Sequence, residues 1–381
     1  MNTDEKLVKT PSSAAKQKLR YAVVGLGYIA QSAVLPAFSN AKNSELVALV
    51  SDDATKLKTL SKKYKVPLTF SYEEYDECLS SGDVDAVYIA LPNSMHRDYS
   101  IRACQQGIHV LCEKPMAVTE AECEEMINAA LDNNVKLMVA YRLHFEEANL
   151  KAIELAQSGK LGDVRALNSV FTMQVKEGDI RVQKELGGGT LYDIGIYCIN
   201  AARNIFQAEP FEVVAFSANN GEKRFEEVDE MTSAILRFPD ERLASFTASF
   251  GASDISSYQL IGTDGNLRVD PAYEYADDLK HQLTLKGKTR ERVFRKRDQF
   301  APELIYFSDC VRNGKDPEPS GSEGLADVRI IRALYKSAAS GEPIRIGDFE
   351  KEERPTMEQE IHKMPVDKPQ LVRAAAPSRK E

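Results

Sequence analysis

Three side chains, Lys114, Asp193 and Tyr197, have the types and spacing for proton transfer to or from an alcohol. Lys114 sits in Cys112-Glu113-Lys114-Pro115, at the C-terminal end of a short apolar run, where open α/β sheets bind their ligands. A lysine there can donate to a substrate oxygen and, as a cation, lower the pKa of a neighbouring acid. Pro115 favours an extended backbone at Lys114, aiming the side chain out of the sheet edge. Asp193 and Tyr197 follow the run Gly187-Gly188-Gly189-Thr190, four residues apart and so on one helix face. A phenol poised by a lysine can take the proton of a hydroxyl as hydride leaves the same carbon, while the carboxylate holds an adjacent hydroxyl. The three glycines would let the backbone pass close to a ligand, and Thr190 could cap the helix. Each feature also has a plain reading. Lys114 could be a solvated lysine at a strand end, Thr190-x-x-Asp193 a capping box, and Tyr197 a core position of an amphipathic helix.

A hydride acceptor is suggested by Tyr21-Ala22-Val23-Val24-Gly25-Leu26-Gly27-Tyr28-Ile29-Ala30, a run of strand formers that stops at a G-x-G-x-x-A pattern. Gly25 suits the tight turn, Gly27 lacks the Cβ that would hold a pyrophosphate away, and Ala30 lets the following helix lie on the strand. The second strand ends at Val50-Ser51-Asp52-Asp53 with Lys56 beyond it. An acid at that point holds a ribose 2′-hydroxyl, whereas a hydroxyl and a cation suit a 2′-phosphate. Ser51 and Lys56 favour NADP over NAD; Asp52 or Asp53 in the acidic position would reverse the choice, and Asp53 could equally cap the helix that starts at Ala54.

The elements that must position these residues alternate along the first third of the chain. Strands near 21–24, 45–50, 85–91, 109–113 and 136–141 are separated by helices near 54–65, 72–79, 95–106 and 119–133, the last opened by a Thr119/Glu122 capping box. That rhythm predicts a doubly wound parallel sheet. A helix over 145–157 follows, then period-two segments at 164–171, 211–218, 232–238, 243–250, 257–261 and 266–269, and helices near 302–311 and 323–339. The fold class is therefore α/β, an N-terminal Rossmann sheet followed by an α+β domain with an open, mostly antiparallel sheet. The expected divisions are a polar arm over 1–18, a nucleotide domain over 19–142, a substrate and oligomerisation domain over 143–348 and an extended charged tail over 349–381.

Composition narrows the classes. The 381 residues carry a formal net charge of -9, which leaves no basic face for nucleic acid. No apolar run reaches membrane-spanning length, and the polar stretch from Met1 to Leu19 has no apolar core of a secretory signal, so a cytoplasmic location is expected. Six cysteines without a C-x-x-C pair suit buried free thiols, and the five histidines show no metal-site spacing, so no metal is expected.

In order along the chain, the G-x-G-x-x-A opening, Leu91-Pro92-Asn93 with His96, Glu113-Lys114-Pro115, Tyr141-Arg142 and the Gly-rich helix with Asp193 and Tyr197 resemble the glucose-fructose oxidoreductase / inositol dehydrogenase (Gfo/Idh/MocA) family over about 19–346. The resemblance implies a Rossmann domain joined to an open-faced sheet that meets its copy in homodimers or homotetramers. It implies catalytic roles for Lys114, Asp193 and Tyr197, with Tyr197 as proton donor or acceptor. Many relatives have histidine there, so Tyr197 is similar to the branch acting on glucose and fructose, aldoses and dihydrodiols. The implied cofactor-binding set is Gly25, Leu26, Gly27, Tyr28, Ile29, Leu91 and Pro92, with Ser51 and Lys56 at the 2′-phosphate and Asn93, His96, Glu113, Lys114, Arg142 and Arg181 lining the nicotinamide half. The segment 174–185 is shorter than in that enzyme branch and has no tryptophan. The expected activity is NADP-dependent hydride transfer at a sugar carbinol carbon, C1 of an aldose giving a lactone, with the nucleotide either retained through reduction of a second sugar or exchanged. The alternatives are a dehydrogenase of xylose or dihydrodiol type using free NADP(H), and a non-catalytic nucleotide-dependent sensor.

Overall fold

The computed structural model describes residues 18–351 and 353–378. The polar arm expected at the N-terminus lies outside the described residues except for Lys18.

Six parallel strands form the first sheet, in the order Leu68–Phe70, Ser44–Val50, Leu19–Val24, Ala86–Ile89, His109–Glu113, Leu137–Ala140. Ala86–Ile89 and Leu137–Ala140 are buried at every position, because helices cover both faces of the sheet. Strand order reverses between Leu19–Val24 and Ala86–Ile89, which opens a crevice at their C-terminal ends. The helices are set by local chemistry. Asp53 caps Ala54–Tyr64, its carboxylate accepting from the N–H groups of Thr55 and Lys56 at 2.9 and 3.1 Å. Thr119 and Glu122 form the capping box of Glu120–Asp132. The helix after the glycine turn widens into a π-turn over Ala30–Val34 before Leu35–Ala37. Pro36 has no N–H to return to the preceding turn, and the wider turn accommodates it.

The second sheet has nine strands, in the order Lys288–Phe294, Leu279–Leu285, Gly265–Val269, Ile255–Gly262, Val164–Thr172, Arg242–Ser249, Met231–Phe238, Glu212–Ala218, Ile344–Arg345. All neighbours are antiparallel except Val164–Thr172 and Arg242–Ser249, which pair in parallel. One face packs on helices Ile196–Phe206 and Gly321–Ser340 around Leu167, Leu236, Ala248 and Ile331. The other face is open and carries exposed Phe216, Ile235, Leu243, Ile255 and Ile261.

Three strand regions have no counterpart in the expected pattern. Leu68–Phe70 is a three-residue edge strand. The hairpin of Leu279–Leu285 and Lys288–Phe294 is strongly polar, and its register comes from Lys286 and Gly287, both at positive φ (49° and 73°). Ile344–Arg345 adds only two residues to the far edge.

Candidate active site

A cleft of about 450 Å³ runs along the C-terminal ends of the parallel strands and under the second sheet. Its lining includes Gly27, Tyr28, Ile29 and Lys56 from the glycine turn and second helix, Leu91, Asn93 and Glu113 from the next strand ends, and a linked group of Lys114, Arg142, Arg181, Asp193 and Tyr197. Gly25, Leu26, Ser51, Pro92 and His96 fall outside this lining.

The glycine turn fits a dinucleotide. Gly25 adopts φ +92°, and a Cβ there would stand 2.5 Å from the Ala90 carbonyl oxygen, so the turn is locked against the neighbouring strand. A Cβ at Gly27 would have no described atom within 4 Å, so the backbone there faces open space. A helix N-terminus follows directly, and a helix start beside open backbone is the arrangement that receives a pyrophosphate. Ser51 is buried, and its hydroxyl accepts from the Asp53 N–H at 3.3 Å. Asp52 accepts from the Tyr72 N–H at 2.8 Å. His96 is wholly buried, its two ring nitrogens 2.9 Å from the carbonyls of Leu91 and Pro115, so it joins the two loops that bound the crevice. Burial lowers its pKa, against the pull of those carbonyls.

Lys114 leaves strand His109–Glu113 and donates to Asp193, at 2.8 Å to its backbone carbonyl and 3.1 Å to Oδ1. Asp193 lies in the π-turn Leu191–Gly195, and Tyr197 one turn on in Ile196–Phe206. The Asp193 Oδ2 accepts from Arg181 Nε at 2.6 Å, and Arg181 is braced by Asp179 at 3.2 Å. Burial alone would raise the Asp193 pKa, but the Arg181 and Lys114 cations overcome it and bring it down to about 2. Burial works against the Lys114 cation, and Asp193, Tyr197 and Glu113 more than restore it, so its pKa is raised. Tyr197 packs edge-on against Phe171, at 5.5 Å between ring centroids, and beside Tyr273 at 5.8 Å. Lys114 Nζ and Arg142 Cζ stand 5.0 and 5.1 Å from the centre of its ring. Arg142 is itself held by the Gln299 side chain and the Tyr273 carbonyl. Glu113 accepts from the Tyr88 hydroxyl at 2.8 Å, and burial raises its pKa.

Gly188 of the glycine run lines the cleft, and the run also serves the protein's own packing. A Cβ at Gly188 would lie 2.5 Å from the Arg181 carbonyl oxygen, and one at Gly187 would lie 2.8 Å from Asn93 Cβ. Gly187 thus allows close approach to the Asn93 and Val118 side chains and Gly188 to the backbone of 181–183, which docks the 179–186 loop and so fixes Arg181 on Asp193. Thr190 turns its hydroxyl to Thr232 at 3.2 Å, and among the described residues its side chain makes no cap hydrogen bond. Asp53 does cap its helix, and Lys114 is part-buried in an ion pair rather than solvated.

Sequence reasoning missed several members of the site. Asp179, Tyr273, Tyr275, Phe300 and the C-terminal residues Arg373, Ala374, Ala375, Pro377 and Ser378 line the cleft, and Asp179 also braces Arg181. They come from loops and from a segment that carries no periodic pattern, so their place in the cleft is set only by tertiary packing. Among the described residues no cluster suited to a metal ion occurs, and no helix is long and apolar enough to cross a membrane.

Residues 19–141 match the model of the Gfo/Idh/MocA oxidoreductase family, NAD-binding Rossmann fold, and residues 149–268 match that of the GFO/IDH/MocA C-terminal domain. The chain is 32% identical to a D-xylose 1-dehydrogenase [NADP(+)] of Haloarcula marismortui over 341 residues, covering 88% of this chain and 95% of that one. Among solved structures, the aldose-aldose oxidoreductase from Caulobacter crescentus complexed with glycerol superposes with a TM-score of 0.83 at 37% identity, covering 87% of this chain and all (100%) of that one. A 3-ketoreductase from Actinomadura kijaniata, in complex with NADP and TDP-benzene, superposes with a TM-score of 0.78 at 25% identity, covering 84% and 98%. The chain therefore belongs to the Gfo/Idh/MocA family of oxidoreductases.

Proposed function

We propose that the protein is an NADP-dependent oxidoreductase acting on the carbinol carbon of a sugar, C1 of an aldopyranose, to give the lactone. The observation that carries this reading is the Lys114 ammonium, fixed on Asp193 at 2.8 and 3.1 Å beside the ring of Tyr197 in the cleft that the glycine turn opens. The names of the xylose dehydrogenase and the complexed ketoreductase support NADP. So does the cleft lining, which includes Lys56, while the Asp53 carboxylate is engaged as a helix cap.

Tyr28, Ile29 and the backbone at Gly27 would hold the pyrophosphate, Lys56 the 2′-phosphate, and Asn93, Glu113, Arg142 and Arg181 the nicotinamide half. When bound, the nicotinamide supplies the two-electron acceptor or donor of the reaction. In its phenolate form Tyr197 would take the proton of the sugar hydroxyl as hydride leaves the same carbon for the bound nicotinamide, and as the phenol it would return that proton in the reverse direction. The Lys114 and Arg142 cations stabilise the negative charge that the proton transfer develops on oxygen. Asp193 already accepts from Lys114 and Arg181 through both carboxylate oxygens, so it acts through Lys114 as a positioning residue. The aromatic wall of Phe171, Tyr197 and Tyr273 offers flat apolar area to the face of a pyranose ring.

The open face of the second sheet, with Phe216 69% exposed, is the surface we assign to a homodimer contact. The direct test of the activity is near-ultraviolet absorbance of the protein supplied with NADP and a panel of aldoses. Growth of the reduced-nicotinamide band with at least one aldose is expected, and silence across the panel would remove the reading.

A further inference from the structure

Beyond the residues that either family model matches, the chain turns back and crosses the cleft. One end of this strap is clamped on the helix that follows the glycine turn. There the Gln31 side chain donates to the Val372 carbonyl at 2.9 Å and accepts from the Val372 N–H at 2.7 Å. The other end is clamped on the second domain. Lys176 donates from its backbone to the Pro377 carbonyl at 3.0 Å and from its ammonium to the Ala376 carbonyl at 2.7 Å, and Ser378 bridges to Val175. Between the clamps, Arg373, Ala374 and Ala375 line the cleft, and Arg373 reaches Asp53, the cap of the helix that carries Lys56. Arg373 adopts φ +47°, a left-handed conformation disfavoured for a residue with a side chain, in a backbone fixed at the adjacent Val372. Its guanidinium lies 3.4 Å from Asp53 Oδ1, yet the side chain remains 65% exposed.

That placement answers an electrostatic problem. Asp53 stands just beyond the second strand, where a carboxylate repels a ribose 2′-phosphate. A single lysine opposite it would offset one negative charge, while a 2′-phosphate carries more. Arg373 neutralises Asp53 and keeps donors available in the planar fork that suits phosphate.

We propose that the strap is a cover for the adenosine end of the nucleotide and that Arg373 is a specificity-determining residue for the 2′-phosphate, a role that rests on the NADP reading above. Because the strap is clamped to both walls, a nucleotide beneath it leaves only when one clamp opens.

The test is equilibrium and stopped-flow binding of NADPH and NADH to the full chain, read by nucleotide fluorescence, for the wild type, Arg373→Ala, Arg373→Lys and Gln31→Ala. Loss of one charge-assisted contact is expected to weaken NADPH about tenfold in Arg373→Ala while NADH changes less than about twofold, with Arg373→Lys recovering part of the loss. Gln31→Ala is expected to speed dissociation of both nucleotides. Equal weakening of the two nucleotides by Arg373→Ala, or no change in either, overturns the assignment of Arg373 while the wild-type preference for NADPH stands. A wild type that prefers NADH overturns the NADP reading itself, and the proposal with it.

Discussion

Lys114 donates to Asp193 twice, at 2.8 Å to the backbone carbonyl and at 3.1 Å to the carboxylate, and so the end of a Rossmann strand is tied to the helix that carries Tyr197. The pair is part-buried and shares its carboxylate with Arg181. Asp193→Asn leaves two cations facing each other across a neutral amide. Turnover is expected to fall by about 10²-fold or more, with the larger share in kcat, because the lost interaction positions Lys114 rather than binding substrate. Steady-state kinetics on the variant separates the two parameters.

The same residue gives the protein an acid limb. The Asp193 pKa is about 2 when folded, below the ordinary value near 3.9 for an unfolded chain. A lowered carboxylate stabilises the fold fully above about pH 5 and loses that contribution as the pH falls through the folded value. The contribution is on the order of 2 kcal/mol. Denaturant unfolding at intervals between about pH 6 and 2 should show a shallower loss of stability in Asp193→Asn than in the wild type; parallel curves would remove Asp193 from the acid transition.

Gly25 and Gly27 should behave oppositely. An alanine at Gly25 meets the Ala90 carbonyl at 2.5 Å in a left-handed backbone, so the fold is expected to lose about 2 kcal/mol or more. An alanine at Gly27 meets no described atom within 4 Å, so the melting temperature is expected to hold while nucleotide affinity falls. Thermal unfolding and nucleotide titration of both variants check the contrast.

Gly188 tests the glycine run in the same way. Its Cβ would lie 2.5 Å from the Arg181 carbonyl and 2.8 Å from that of Gln183, both backbone atoms that cannot swing away. Gly188→Ala is expected to displace the 179–186 loop and loosen Arg181 from Asp193, lowering kcat. Wild-type kcat in a folded variant would contradict this role.

The open sheet face makes a separate expectation. Phe216 and Ile235 are 69% and 44% exposed among strands whose other face is core. The double substitution Phe216→Glu and Ile235→Glu should lower the mass measured by sedimentation to that of one chain. A wild type that sediments as a single chain would refute the assignment of this face.

Much of this architecture could be read in advance because the residues concerned act locally. Apolar runs at strand spacing, the Thr119 capping box and the glycine turn each specify their own geometry, so the parallel sheet and the position of Lys114 at its edge followed from the sequence. The family motifs likewise drew attention to Lys114, Asp193, Tyr197, Arg142 and Arg181, all of which line one cleft. What could not be read depends on contacts between distant segments. The polar hairpin through Lys286 and Gly287 has almost no buried pattern, since its outer strand is exposed at six of seven positions. Asp53 was legible as either a ribose ligand or a helix cap, and only the hydrogen bonds to Thr55 and Lys56 decide that it caps. The Gly-rich run announces close approach without naming the partner, which is the Arg181 carbonyl. Nothing periodic marks 372–378, because its order comes from Gln31 and Lys176 on two other elements.

The central claim is that the Tyr197 hydroxyl moves the substrate proton. Its most direct test is turnover of Tyr197→Phe with an aldose accepted by the wild type, alongside NADP affinity measured on the same sample. A fall in kcat of about 10²- to 10⁴-fold with NADP affinity within about twofold of the wild type is expected. Wild-type kcat in the phenylalanine variant would contradict the mechanism.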